Sequence, residues 1–359
     1  MVPVLRNSLP CKLLFTLSLC MALNSADAAN EKKATFDSPK ETLRKAIFEK
    51  SDQIGCKTVS TTPQGGIKVD EELNGFIKLI LDSLKTSSPE KMRPLFHKRM
   101  DVSKEQINTT FNRLNTIYRT PYEISIHSLW ALNTVDGTPN GLSCEDGNIT
   151  AYPLYGYPLQ FGLWVQVMGQ LELGRIYISL VPSDGRWNIG SFHSQQWTHD
   201  SKDFATWYEE GVKNARMGYP EAAFVKYDIA SKLLNGGGFI DLPMQDNIND
   251  FRDKTFTKEA WQKRIQSILR DWDIGYSASM LVAGGGGILV RLKTKVEISL
   301  VDMQADCEKL ARTLIKEPFH NYLQGVRCSY VLPREDPTKE GLLGGMFLKF
   351  SDLKPKQED

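Results

Sequence analysis

The chain has 359 residues, of which 44 are basic and 43 acidic, so its formal net charge is +1. We expect no nucleic-acid partner, because the sequence contains no Lys/Arg block that could form a basic face. Beyond the N-terminal segment no window of eighteen apolar residues occurs, so we expect no permanent membrane anchor.

Residues 1–28 have the order of a secretory signal peptide. Arg6 and Lys12 precede the apolar stretch 13–23, and the segment ends in Ala26-Asp27-Ala28. As a helix the apolar stretch spans about 16 Å, whereas a transmembrane helix must cross roughly 30 Å of hydrocarbon. The pattern therefore predicts cleavage near Ala28, export to the periplasm or the cell exterior, and a formally neutral mature chain.

Cleavage would leave four cysteines, Cys56, Cys144, Cys307 and Cys328. Widely spaced cysteines without a C-x-x-C pair in an exported chain indicate disulfides rather than metal or redox chemistry. Three connectivities are possible, and pairing within domains favours Cys56 with Cys144 and Cys307 with Cys328. The alternative is that they are free buried thiols. We expect no cofactor and no metal.

Residues 29–68 are rich in Lys, Ser, Thr and Gly, and they are interpreted as a leader or linker with one possible helix over 39–50. Helical patterns follow in residues 69–200. Apolar residues recur every three or four positions over 71–86, and Ser103 with Gln106 has the spacing of a capping box at the start of a second helix.

An antiparallel sheet is predicted after these helices. In one strand Leu163 and Val165 alternate with Trp164 and Gln166, which is typical of a strand with two unlike faces. Ser183-Asp184-Gly185 is a hairpin signal. The predicted strands cover residues 123–132, 149–154, 161–168, 175–181 and 187–192.

The predicted helices are followed by an antiparallel meander, whose last two strands have the sequence IYISLVPSDGRWNIGSF. This order of elements resembles NTF2-like or cystatin-like α+β domains over about residues 69–200. The resemblance implies a sheet that wraps a helix and leaves a pocket. It supplies no catalytic residue.

Residues 201–275 change to a helical period. Six residues of 203–234 have the spacing of the Trp, Gly, small and aromatic positions of a tetratricopeptide repeat, and this segment resembles one such helical hairpin. They are Trp207, Gly211, Gly218, Ala223, Tyr227 and Ala230. The segment departs from the repeat at Glu210 and Asn235. We expect Trp207, Tyr208 and Tyr227 to face a protein partner, and the alternative is an ordinary helical hairpin.

Residues 276–350 have the pattern of a small β-β-α-β-β module, and 351–359 form a polar tail that we expect to be disordered. The predicted fold class is therefore α+β: helices on a curved antiparallel sheet, a helical hairpin segment, and a small α/β module.

The candidate site lies among aromatic residues of the predicted sheet. Trp164, Tyr177, His193 and Trp197 could line a ligand pocket, since rings with polar edges suit sugars, peptides or aromatic ligands. The alternative is that these rings only fill the core. Two histidines near the sheet end, His193 and His199, are too few ligands for zinc.

These patterns favour an exported, non-catalytic binding or assembly protein. The expected partner is another envelope or secreted protein, and a small molecule is the second candidate. The alternative is an enzyme that acts on a small ligand in the sheet pocket with His193 as acid or base. A structural envelope component is a third hypothesis.

Overall fold

The computed structural model describes residues 20–22, 38–48, 53–59, 70–134, 141–145, 149–282, 285–294, 298–318, 321, 323–332 and 341–353. The chain divides into two compact units: unit 1 contains residues 1–197 and 235–243, and unit 2 contains residues 198–234 and 244–359. Each has helices and strands, and the α+β class is confirmed.

Unit 1 is built on a six-stranded sheet in the order β1-β8-β7-β6-β3-β2, in which every neighbouring pair is antiparallel. Its strands are β1 (Cys20–Ala22), β2 (Gly55–Thr58), β3 (Glu123–Asn133), β6 (Leu159–Met168), β7 (Leu173–Ser183) and β8 (Arg186–Gln196). A separate sheet has the order β4-β5-β9, with β4 (Leu142–Ser143), β5 (Thr150–Ala151) and β9 (Ile240–Asp241). The strand expected over 149–154 is thus only two residues long and lies outside the main sheet.

Helices cover one face of the six-stranded sheet. They are α1 (Ser38–Ile47), α2 (Glu71–Lys85), the short α3 (Pro89–Met92) and α4 (Lys104–Tyr118). The apolar stripe of α2 is buried, and Ser103 and Gln106 form the predicted capping box at the start of α4. Leu163 and Val165 belong to this core, whereas Trp164 belongs to a second cluster with Trp130 and Tyr177. The two unlike faces predicted for this strand are confirmed.

Two segments expected to lie outside the folded domain contribute to it. The segment expected to be a linker contains α1 and β2, and its residues Leu43, Phe48 and Val59 belong to the core. β2 extends the sheet by pairing with β3. Within the predicted signal peptide, β1 pairs with β8. The other residues of 1–28 and the tail beyond Leu353 lie outside the described residues.

The predicted hairpin joins β7 and β8. Asp184 and Gly185 both have positive φ, 53° and 75°, as a two-residue hairpin turn requires.

Unit 2 combines the helical hairpin and the small module, which we expected to be separate segments at 201–275 and 276–350. Its helices are α5 (Phe204–Arg216), α6 (Pro220–Leu233), α7 (Pro243–Thr255), α8 (Lys258–Ile268) and α9 (Leu300–Leu314). Its sheet, in the order β10-β11-β12-β13, contains β10 (Ile274–Val282), β11 (Gly285–Lys293), β12 (Leu323–Leu332) and β13 (Gly341–Lys349). The β11–β12 pair is parallel and is connected through α9, so the β-β-α-β-β order is confirmed.

The helical hairpin belongs to the sheet because α6 packs on β10 and β11. Lys232 donates to the Ser279 hydroxyl over 3.1 Å, and a Cβ at Gly286 would lie within 3.1 Å of the side chains of Ile229 and Val225. A single helical pair cannot bury its own apolar face, and the sheet covers it.

Both favoured disulfides are present, Cys56–Cys144 in unit 1 and Cys307–Cys328 in unit 2. Across the described ranges, no helix combines the length and apolarity that crossing a membrane requires.

Candidate functional site

The site residues lie on the face of the six-stranded sheet opposite to α2 and α4. Trp164, Tyr177 and His193 pair directly across β6, β7 and β8 and form one row. Residues paired directly across antiparallel strands project to the same face, so the register alone brings these three side chains together.

Arg175 lies two residues before Tyr177 on β7, and therefore on the same face. Its guanidinium carbon is 5.3 Å from the ring centroid of Trp164 and 4.7 Å from that of Trp197, whose own centroids are 5.2 Å apart. The side chain is buried, with 6% of its surface exposed. Burial lowers the pKa of Arg175 to about 9, and the nearby Tyr118 opposes the shift. The guanidinium is still cationic at neutral pH.

A small cavity adjoins this row. Its volume is about 10 Å³, which is about the room that one water molecule needs. The sheet contributes Trp164, Arg175, Tyr177 and His193 to its wall, and the segment 235–243 contributes Asn235, Gly236, Ile240 and Leu242.

The segment 235–243, here called the glycine loop, closes the cavity. Gly237 has a φ of +70°, and a Cβ at this position would lie 2.3 Å from Nδ1 of His193. Only a glycine therefore allows the backbone to approach the imidazole this closely. Phe239 stacks on Tyr177 with 5.8 Å between ring centroids, and β9 pairs with β5. The loop is thus held at its centre and along its second half.

His193 is neutral at physiological pH. Burial lowers the pKa of His193 to about 4, the charge of Arg175 acts in the same direction, and a hydrogen bond with the Asn235 backbone opposes both. At neutral pH the cation that the cavity wall supplies is therefore Arg175.

The hydroxyl of Tyr177 is buried and makes no hydrogen bond of regular geometry with the described residues. Burial raises the pKa of Tyr177 to about 12, although the neighbouring Ser179 side chain lowers it slightly. The phenol is therefore protonated at neutral pH.

Three of the four predicted pocket residues line the cavity: Trp164, Tyr177 and His193. Trp197 is not in its wall, but its ring adjoins both the Trp164 ring, with 5.2 Å between centroids, and the Arg175 guanidinium, at 4.7 Å. The sequence analysis missed Arg175, although its period-two relation to Tyr177 was visible. It also missed the glycine loop, whose only local signal is the run Gly236 to Gly238.

The predicted partner-facing hairpin is corrected. Trp207 and Tyr227 are 6% and 2% exposed, because each helix of the α5–α6 pair turns its aromatic ring inward. A Cβ at Gly211 would lie 2.7 Å from the Tyr227 ring, so the close approach that a small residue permits is present. Only Tyr208 is partly exposed. His199 is also buried, with its ring 6.2 Å from that of Trp207.

The described residues contain no group of three His, Cys, Asp or Glu side chains arranged to hold a metal ion. No family model, no curated protein and no solved structure matches the chain. The resemblances to NTF2-like domains and to the tetratricopeptide repeat therefore stay predictions.

Proposed function

We propose that this chain is a non-catalytic binding protein, exported to the periplasm or the cell exterior, which takes up a small, flat organic anion at the cavity of unit 1. The observation that carries the proposal is the buried guanidinium of Arg175, which lies in the cavity wall beside the Trp164 and Trp197 rings. A carboxylate is the group that such a planar donor pairs with best.

The other residues of the cavity wall indicate which chemical body should carry the anionic group. Trp164, Tyr177, Ile240 and Leu242 are apolar or aromatic, and they suit a flat apolar body behind the anionic group. A ligand larger than a water molecule enters only when the glycine loop moves, and consecutive glycines with positive φ at Gly237 and Gly238 give the backbone that freedom.

The disulfides support the oxidising compartment, because such bonds persist outside the cytosol. The protein partner expected at the helical hairpin has less support, since Trp207 and Tyr227 are buried.

The enzyme alternative also has less support. A general base is most effective with a pKa near the working pH, and the pKa of His193 is about 4. The lining residues include no carboxylate that could orient or assist the imidazole.

The test uses benzoate as the probe, followed by tryptophan fluorescence, because the rings of Trp164 and Trp197 adjoin the Arg175 guanidinium that the carboxylate is expected to contact. We expect saturable quenching by benzoate and at least tenfold weaker binding of benzyl alcohol, which has the ring without the charge. The substitution Arg175→Met, which keeps a long apolar stem, should reduce benzoate affinity at least tenfold.

The matched control is Arg186→Met, the same change at an exposed arginine of the same sheet, and it should bind benzoate as the unsubstituted chain does. Thermal unfolding shows whether each variant is folded. Equal benzoate affinity in folded Arg175→Met and in the parent chain would refute the proposal.

A further inference from the structure

The four-stranded sheet of unit 2 has one covered face and one open face. On the covered face, Ser279 of β10 contacts Asp228 and Lys232 of α6, and Cys328 of β12 is bonded to Cys307 of α9. Register places Ser279 beside Ile288 and Val326, and places Val290 beside Cys328, so both helices lie on the same side. Alternate residues of all four strands project to the other side.

The open face has a distinct composition. Two rows cross all four strands: Ala278, Leu289, Arg327 and Phe347 form the first, and Tyr276, Arg291, Ser329 and Gly345 form the second. Lys293 and Lys349 project to the same face at the ends of β11 and β13. The face therefore has four basic side chains, and none of its described strand residues is acidic.

Much of this face is accessible to solvent. Tyr276 is 44% exposed and Lys293 and Lys349 are exposed, while Leu289 and Arg327 on the two central strands are partly exposed and Ser329 is 6% exposed.

The face is also flat. Gly287, Gly325 and Gly345 occupy three of its positions, and a Cβ at Gly325 would lie 2.7 Å from the ring of Phe347. The Phe347 ring thus lies low over the sheet, and the Arg291 guanidinium lies 5.4 Å from the centroid of the Tyr276 ring. Lys293 and Lys349 are the most exposed of the basic side chains.

From this arrangement we infer that the open face of unit 2, defined by Tyr276, Arg291, Lys293, Arg327, Phe347 and Lys349, docks on the surface of an anionic lipid bilayer. A planar array of cations fits a planar array of phosphates, and each Lys or Arg near such a surface adds to the attraction. Tyr276 and Phe347 are suited to the interfacial region, where an aromatic ring is partly buried among headgroups.

Two other occupants fit less well. A second copy of this face would bring four cations against four cations, which is unfavourable. Single-stranded nucleic acid stacks successive bases on neighbouring rings. Here the two aromatic residues are on the outer strands β10 and β13, about 14 Å apart across three strand spacings, with no ring between them.

The experiment is co-sedimentation of the full chain with vesicles of phosphatidylcholine and phosphatidylglycerol, and with vesicles of phosphatidylcholine alone. We expect binding to the anionic vesicles only, weakened by added salt. Lys293→Ser with Lys349→Ser should reduce the partition coefficient about 25-fold, since each basic residue contributes about fivefold. Arg291→Ser with Arg327→Ser is the second pair and should act equally.

The matched control is Lys213→Ser with Arg216→Ser, which removes two exposed cations at the end of α5 and should leave vesicle binding unchanged. Circular dichroism melts establish that each variant is folded. The inference fails if the full chain does not sediment with anionic vesicles, if the control pair loses as much binding as the face pairs, or if the face binds oligothymidylate and not the vesicles. Benzoate binding in unit 1 is measured separately, so failure here leaves the proposed function standing.

Discussion

Arg175 connects the proposed chemistry to a structural cost. Taking a guanidinium out of water is unfavourable, and aromatic faces recover only part of that cost, about 2 kcal/mol for a desolvated cation over a ring. The rings of Trp164 and Trp197 supply such faces, with centroids 5.3 Å and 4.7 Å from the guanidinium carbon of Arg175.

His193 gives the pH prediction for this site. The imidazole binds a proton near pH 6.5 in the unfolded chain but only near pH 4 when folded. Between these values the unfolded state holds more protons, so the stability of unit 1 falls as the pH is lowered from about 6.5 to about 4. The loss is up to about 3 kcal/mol.

His193→Gln should remove this part of the pH dependence, because glutamine does not titrate. Chemical denaturation of both proteins at several pH values measures the difference, in which the titration of His127 and of the carboxylates cancels. Parallel stability curves for the two proteins across this window would contradict the assignment.

At the scale of elements, the α5–α6 contact gives a prediction with a defined sign. Gly211→Ala adds a methyl group 2.7 Å from the buried Tyr227 ring, and overpacking of this kind costs about 1–3 kcal/mol. The gain in helix propensity, about 1 kcal/mol, offsets only part of it. We expect a lower unfolding free energy of unit 2, measured by urea denaturation.

Gly75→Ala is the matched control, since it is the same change inside α2 with no atom within 4 Å of the added Cβ. It should raise stability by about 0.5–1 kcal/mol. If both substitutions raise the free energy of unfolding, α5 and α6 pack less closely at Gly211 than the structure shows.

How much of this could be predicted from the sequence differs between elements. Apolar residues that recur every two positions in a strand, or every three to four positions in a helix, form local patterns. The strand around Leu163 and the helix around Ile77 were therefore predictable to within a few residues. The row formed by Trp164, Tyr177 and His193 depends on the register of three strands, which alternation within one strand does not fix. The glycine loop was not predictable, because its place over His193 depends on a contact between residues about forty positions apart.

The basic face of unit 2 was missed for a related reason. Arg291, Lys293, Arg327 and Lys349 lie on three strands and never form a run in the sequence, so a search for Lys/Arg blocks overlooks them. Register brings them together, and register depends on the whole sheet. The expectation that no basic face exists is therefore wrong for this surface.

At the scale of the whole molecule, each unit has its own cross-link, and the two bonds should differ in effect. Cys56 and Cys144 are 88 residues apart and Cys307 and Cys328 are 21 apart. Loop entropy predicts about 4.5 kcal/mol for the first bond and about 3 kcal/mol for the second. Replacing each pair by alanine, and following hydrogen exchange by mass spectrometry, should show faster opening confined to the unit that lost its bond.

That experiment also tests the division into two units. If loss of the Cys307–Cys328 bond accelerates exchange in β6 and β7 as much as in β11 and β12, the units do not open separately. A larger effect from the shorter loop would count against the entropic account of these bonds.

The most direct measurement of the central claim is a crystal structure of the protein soaked with 4-bromobenzoate, with the bromine located by its anomalous scattering. We predict a bromine peak among Tyr177, Ile240 and Leu242, a carboxylate within hydrogen-bond distance of the Arg175 guanidinium, and a displaced glycine loop. Bromine sites found only on the protein surface, with the cavity and the Arg175 environment unchanged, would contradict it.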